Sequence, residues 1–224
     1  MDYSPILISL KTASLTIAIV FVLGTLAAYF VIMRKKEITK VLLDGIFTMP
    51  LVLPPTVAGF FLLYLFGSNR PLGRLFFTVF HTKIAFSWGA TVLAAVVIAF
   101  PLMYRAARGA FEQVDQELIQ AGRTLGMSEF RIFLNVIIPN SLPGMISGAV
   151  LAFARGLGEF GATAMIAGNI AGRTRTLPLA VYSEVAAGDM DDASVYVAII
   201  VGICFLIVVL LNIYQVRVKK HLSR

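Results

Sequence analysis

Long stretches without a charged residue constrain this chain more than any other feature. Uncharged runs occur at Thr12–Met33, Gly45–Asn69, Ile84–Tyr104, Ile132–Ala154 and Ala193–Val216. Each reaches the roughly 20 residues that an α-helix needs to cross the hydrocarbon of a bilayer. With 58% hydrophobic and only 14% charged residues in 224, the chain is too apolar for a water-soluble domain. An all-α polytopic membrane protein follows, because a helix satisfies its own backbone where no water is present. Five crossings are the base count. Phe160–Gly172, 13 residues, reads as the continuation of a broken helix or a re-entrant piece, and counting it as a span gives six. No repeat, low-complexity tract or long linker divides residues 1–224, which read as one transmembrane domain.

Basic residues set the expected orientation, since short loops rich in Lys and Arg stay in the cytoplasm. Arg34, Lys35, Lys36 and Lys40 follow the first run, and Arg105, Arg108, Arg123 and Arg131 follow the third. Arg217, Lys219, Lys220 and Arg224 follow the last, against Arg70, Arg74, Lys83, Arg173 and Arg175 on the other side. The N-terminus is thus expected outside and the C-terminus in the cytoplasm of a prokaryotic plasma (inner) membrane. The net charge of +7 is this topological bias, and lipid headgroups suffice as its partner without nucleic acid. Ile6–Met33 is longer than the apolar core of a cleaved signal peptide and lacks a basic flank, so it is expected to remain in the mature protein. Cys204 is the single cysteine, and one cysteine builds neither a disulfide nor a metal site.

The polar segment at about 109–131 separates the third and fourth runs. Asp115 or Gln116 opens a short helix with Glu117 in its first turn, Gly126 closes it, and Ser128 caps the next one. The result is a helix–Gly–helix elbow at the cytoplasmic face. Two other places break the apolar pattern. Pro50, Pro54 and Pro55 lie within the second run, where each removes a backbone donor and clashes with the preceding turn, with Thr56 placed to satisfy a freed carbonyl. Such a kink serves either helix packing or a wet cavity. Arg155 and Glu159 interrupt the run from Leu142 to Gly168. At i,i+4 they share a helix face and can pair, either turned into the bundle or held near the exterior headgroups.

Gln120-Ala121-Gly122, then Gly126, then after nine residues Val136-Ile137-Ile138-Pro139, closely resembles the EAA coupling signature of ABC importer permeases, with Gln120 in place of the usual acid and Gly122 in place of the second alanine. LVLPPTVAGFFLL and GLGEFGATAMIAGNIAGRTRTLPLAVY extend the resemblance over nearly the whole chain to the permeases of molybdate ABC importers, with tungstate and sulfate permeases as near relatives. That resemblance implies a MetI-like permease fold, a homodimer, cytoplasmic ATPase subunits and an extracytoplasmic oxyanion-binding protein. It assigns Glu117, Gln120, Ala121, Gly122, Arg123, Thr124, Leu125 and Gly126 to coupling with the ATPase. The candidates for the pathway wall and gate are Pro50, Pro54, Pro55, Thr56, Arg155, Gly158, Glu159, Phe160 and Gly161.

The chain contains no G-x-x-x-x-G-K-[ST] phosphate loop, so ATP and Mg are expected on a partner and no cofactor on this chain. Nor does any nucleophile–base or metal-ligand set appear in the sequence. Catalysis by this chain is not expected. The alternatives are a sulfate or thiosulfate permease and, from other classes, a membrane enzyme or a non-transporting regulatory membrane subunit, which would bind partners and carry nothing.

Overall fold

The computed structural model describes residues 2–222, with side chains described as far as Tyr214. It is helical throughout. The elements are α1 (Ser4–Ile32), α2 (Glu37–Val52), α3 (Pro55–Phe66), α4 (Pro71–Phe80), α5 (Trp88–Glu112), α6 (Gln116–Thr124), α7 (Glu129–Ile132), a π-helical turn (Phe133–Ile137), α8 (Ile138–Leu157), α9 (Gly161–Ala167), α10 (Leu177–Ala187) and α11 (Met190–Leu222).

Among the described residues, four continuous helices are long and apolar enough to cross a membrane: α1, α5, the rod formed by α7, the π turn and α8 (Glu129–Leu157), and α11. The fifth crossing is α2 with α3, which turn by 108° at their junction. Sequence places a kinked helix there; the structure makes a full break, with Leu53 and Pro54 both extended (ψ 139° and 133°). A residue before proline is pushed out of the helical region, and two successive prolines apply that pressure to consecutive residues. The sixth span does not form: α9, with 7 residues, and α10, with 11, are too short to cross. Pro71–Phe80, between the second and third uncharged runs, is a further helix.

α5 is the central helix. Its buried residues include Ala99, Met103, Tyr104 and Ala107, around which Val20, Ala28 and Val31 of α1, Phe133, and Met145 and Ala152 of α8 gather. The buried stripe of α1 is Ser9, Thr12, Ala13, Thr16, Val20, Gly24, Thr25 and Ala28, while Leu15, Val22, Leu26 and Phe30 point outward. This inverts the pattern of a soluble helix. Lipid tails are as apolar as leucine, so association rests on close packing and the small residues mark the contact. At Gly24 a Cβ would stand 2.9 Å from Met103 Cγ and 3.0 Å from the Tyr104 nitrogen.

Polar contacts fix which ends lie together. Trp88 Nε1 donates to Thr12 Oγ1 (3.0 Å), which lies 3.1 Å from Thr91 Oγ1. The Leu177 N–H donates to Ser9 Oγ (2.7 Å), and the Tyr196 hydroxyl to the Asp2 carbonyl (2.6 Å). The starts of α1, α5, α10 and α11 therefore share one end of the bundle, and α6 caps the other.

Candidate functional site

The elbow is built as a Schellman stop followed by a fresh helix start. Asp115 caps α6 by accepting from the Glu117 N–H (2.9 Å). At the other end Gly126, with φ +73°, donates its N–H to the Arg123 carbonyl (2.9 Å), and the Met127 N–H reaches the Gly122 carbonyl (3.0 Å). These two bonds satisfy carbonyls that the helix end leaves free, and the left-handed residue between them suits glycine. Ser128 Oγ then accepts from the Arg131 N–H (3.4 Å) to open α7.

The spacing of the signature is the packing rule of this elbow. Gly122 is buried, and a Cβ there would stand 3.2 Å from Ile132 Cγ1. Ile119, Ile132 and Val114 form a small core with Met127, Val136 and Ile137. Arg123 grips Glu129 through two bonds of 2.8 and 3.1 Å across the turn. Hydrogen bonding to Glu129 raises the Arg123 pKa, keeping the charge in place. Glu117, Gln120, Ala121, Thr124 and Leu125 face outward. With Leu125 the elbow also exposes Leu118 and Phe130, by 80%, 47% and 62%. Leu118 and Phe130 were not singled out from sequence, although Leu118 stands seven residues before Leu125 and so on the same helix face.

At the far end of the Glu129–Leu157 rod, about 43 Å away by helical rise, Arg155 Nη1 donates to Glu159 Oε2 (2.7 Å). Glu159 is turned inward and Arg155 lies half-buried beside it: their side chains are 1% and 31% exposed. The second carboxylate oxygen, Oε1, accepts the Ala162 N–H (2.8 Å) and so holds the first turn of α9. One carboxylate thus joins the end of α8 to the start of α9.

Gly161, in that first turn, lies against the break in the second crossing. A Cβ on it would stand 3.1 Å from Pro55 Cβ and 3.1 Å from the Thr56 nitrogen. One turn further, Gly59 presses on α9 so closely that a Cβ would come within 2.6 Å of Ala162 Cα. The structure therefore brings Pro55 and Thr56 together with Gly161, although about a hundred residues separate them. Thr56 contributes its backbone and methyl to this contact. Its hydroxyl makes no hydrogen bond among the described residues, so it does not satisfy a proline-freed carbonyl. Pro50 lies within α2, before the break, and Pro54 is exposed at it. Gly158 and Phe160 turn away to line a cavity of about 540 Å³ with Tyr182 and Val197, where the Phe160 and Tyr182 rings stand 5.4 Å apart.

A third cluster went unnoticed in sequence. Arg108 of α5 pairs with Asp44 of α2 (2.6 Å) and with Glu112 (2.8 Å), and the Tyr104 hydroxyl donates to Asp44 (3.0 Å). α2 buries no residue completely, so this charge contact and the edge packing of Phe47 on Phe100 and Tyr104 attach it to α5. Asp44 sits at the border of an uncharged run, which was the available signal.

The model of the "Binding-protein-dependent transport system inner membrane component" family covers residues 20–224. This chain belongs to that family. It is 40% identical over 220 residues to the molybdenum transport system permease protein ModB of Escherichia coli strain K12, spanning 98% of this chain and 96% of that one. The ModB of Haemophilus influenzae is likewise 40% identical over 222 residues, spanning 97% of each. Among solved structures, the MetNI methionine ABC transporter in inward-facing conformations aligns with a TM-score of 0.72 over 98% of this chain and 95% of that chain. At 17% identity that likeness speaks for the fold alone, which is the MetI-like permease fold.

Proposed function

We propose that this chain is the permease subunit of an ABC importer for molybdate, with tungstate as an accepted analogue, working as a homodimer. The observation that carries the reading is mechanical. A rigidly capped elbow exposing Leu118, Leu125 and Phe130 stands at the foot of one continuous helix. The head of that helix holds the Arg155–Glu159 pair, next to the broken crossing. The relatives called molybdenum permeases support the choice of anion.

In this reading the elbow seats in a groove of a separate ATP-binding subunit, where its exposed apolar side chains become buried. Glu117, Gln120, Arg123 and Thr124 present the polar rim, Ala121 leaves room for close approach, and Gly122 and Gly126 keep the shape. ATP and Mg act on that subunit, and this chain supplies no hydrolysis. Closure of the ATPases moves the two elbows, and the Glu129–Leu157 rods carry that displacement to the Pro54–Thr56 and Arg155–Gly161 regions, shifting the population between inward- and outward-facing bundles. An extracytoplasmic binding protein supplies the anion and most of the affinity, because a tight site midway would slow release. The excess of Lys and Arg beside the elbow supports a cytoplasmic elbow and an N-terminus outside.

The test is uptake by the assembled transporter in a strain lacking its own permease, with molybdate, tungstate and sulfate in competition. Molybdate uptake inhibited by tungstate and little by sulfate is expected. Sulfate carried equally well overturns the choice of anion, and an assembled complex that carries none of the three overturns the transport reading.

A further inference from the structure

Another cavity among the described residues lies away from both the elbow and the Arg155–Glu159 pair. It measures about 1140 Å³ and is enclosed by α1, α4, α5 and the loop from His81 to Ser87. Its two ends differ chemically. At the end of the bundle where α5 begins, it is lined by His81, Lys83 and Arg173. None of these three side chains makes an ion pair or hydrogen bond among the described residues, and no carboxylate lines the cavity. Its floor is apolar, formed by Ile19 and Leu23 of α1 and by Val92 and Val96 of α5, with Phe76 and Phe77 of α4 over it. From Ser87 down to Val96 the floor descends nine residues of helix, about 14 Å. That equals the hydrocarbon of one leaflet, about half of a 30 Å core.

We propose that this groove binds an anionic phospholipid, with its phosphate on Lys83, Arg173 and His81 and an acyl chain lying along Ile19, Leu23 and Val96. A phosphate needs cations that nothing else neutralises, and basic pockets between membrane helices recognise lipid headgroups in this way. A small transported oxyanion uses the basic rim but has no use for a deep apolar floor. The basic loop is held in a set shape: His81 and Phe86 at its two ends both have positive φ (54° and 58°), unfavourable for a bulky aromatic residue. The Phe86 N–H is anchored on the Ile166 carbonyl (2.9 Å). Such strain persists where the surroundings impose it, commonly at binding sites. α4 completes the groove as an amphipathic helix in which only Gly73 is buried, suited to lying at the membrane surface. The proposal needs only the membrane placement of the chain and is independent of which anion it imports.

The test is native mass spectrometry of the full-length chain in its assembled transporter, released from micelles containing phosphatidylglycerol or phosphatidylcholine. The wild type is expected to retain phosphatidylglycerol in preference. The double variant Lys83→Gln/Arg173→Gln is expected to lose that preference by about thirtyfold, about fivefold for each charge. Val96→Trp, which fills the floor and leaves every charge in place, is expected to lower retention of the same lipid. Equal retention of both lipids by wild type and double variant overturns the proposal. So does displacement of phosphatidylglycerol by molybdate or sulfate, which gives the basic rim to the transported anion. Dissociation of the permease pair by Val96→Trp with lipid retention unchanged assigns the groove to a second copy of this chain and overturns it equally.

Discussion

Arg155→Gln removes the guanidinium from a carboxylate whose side chain is 1% exposed. Glu159 then keeps only the Ala162 N–H as a partner. Leaving a buried charge without its counterion costs about 3–5 kcal/mol. Glu159→Gln is milder for a geometric reason. The glutamine carbonyl still accepts from Ala162, and the stranded Arg155, 31% exposed against 1% for Glu159, is far less desolvated than the carboxylate. The loss is that of a charge-assisted bond, about 1.5–3 kcal/mol. In the double variant Arg155→Gln/Glu159→Gln no charge is stranded and the Ala162 bond persists, so the loss falls to about 1 kcal/mol. The double variant is thus more stable than Arg155→Gln alone, with a coupling on the order of 5 kcal/mol. Exchanging the two residues does not restore the wild type, because an arginine at 159 offers no acceptor to Ala162. The assay is reversible denaturation in mixed micelles followed by the emission of Trp88, the single tryptophan, with molybdate uptake measured in parallel. Equal losses from the two single variants, or a double variant equal to their sum, refute the buried-carboxylate argument.

Three further outcomes follow from the same geometry. Gly126→Leu places a branched residue at φ +73° in open space, so backbone strain of about 1–2 kcal/mol is the whole effect; membrane insertion should persist while uptake falls, and wild-type uptake contradicts the coupling role. Gly59→Ala sets a methyl 2.6 Å from Ala162 Cα, which forces α3 from α9; loss of folded protein on size-exclusion chromatography is expected, and a normal yield with normal uptake contradicts the contact. Asp44→Asn weakens the bonds from Arg108 and Tyr104 by about 1.5–3 kcal/mol, and a disulfide trap between cysteines placed on α2 and α5 should then form more slowly.

The elements legible in the sequence are those specified by local chemistry. Uncharged runs of about 20 residues announce spans because the bilayer imposes its thickness on any segment alone. The elbow was legible for the same reason. Asp115, Gly126 and Ser128 act on backbone within four residues of themselves, so the spacing of caps and the left-handed glycine can be read directly. The i,i+4 spacing of Arg155 and Glu159 offered their pairing, but their depth was undecided, since depth depends on which helices surround them. Only the tertiary structure turned the Pro54–Pro55 pair into a 108° break, set Pro55 and Thr56 on Gly161 and joined Asp44 to Arg108. Those contacts span about a hundred residues in the first case and 64 in the second, beyond any local periodicity. The buried faces were hidden for a further reason: in lipid both sides of a helix are apolar, and the inward side is told by small side chains whose value is the close approach they permit. A stripe such as Ser9, Thr12, Ala13, Thr16 and Gly24 becomes an interface only when another helix lies against it, and the choice of that helix belongs to the fold.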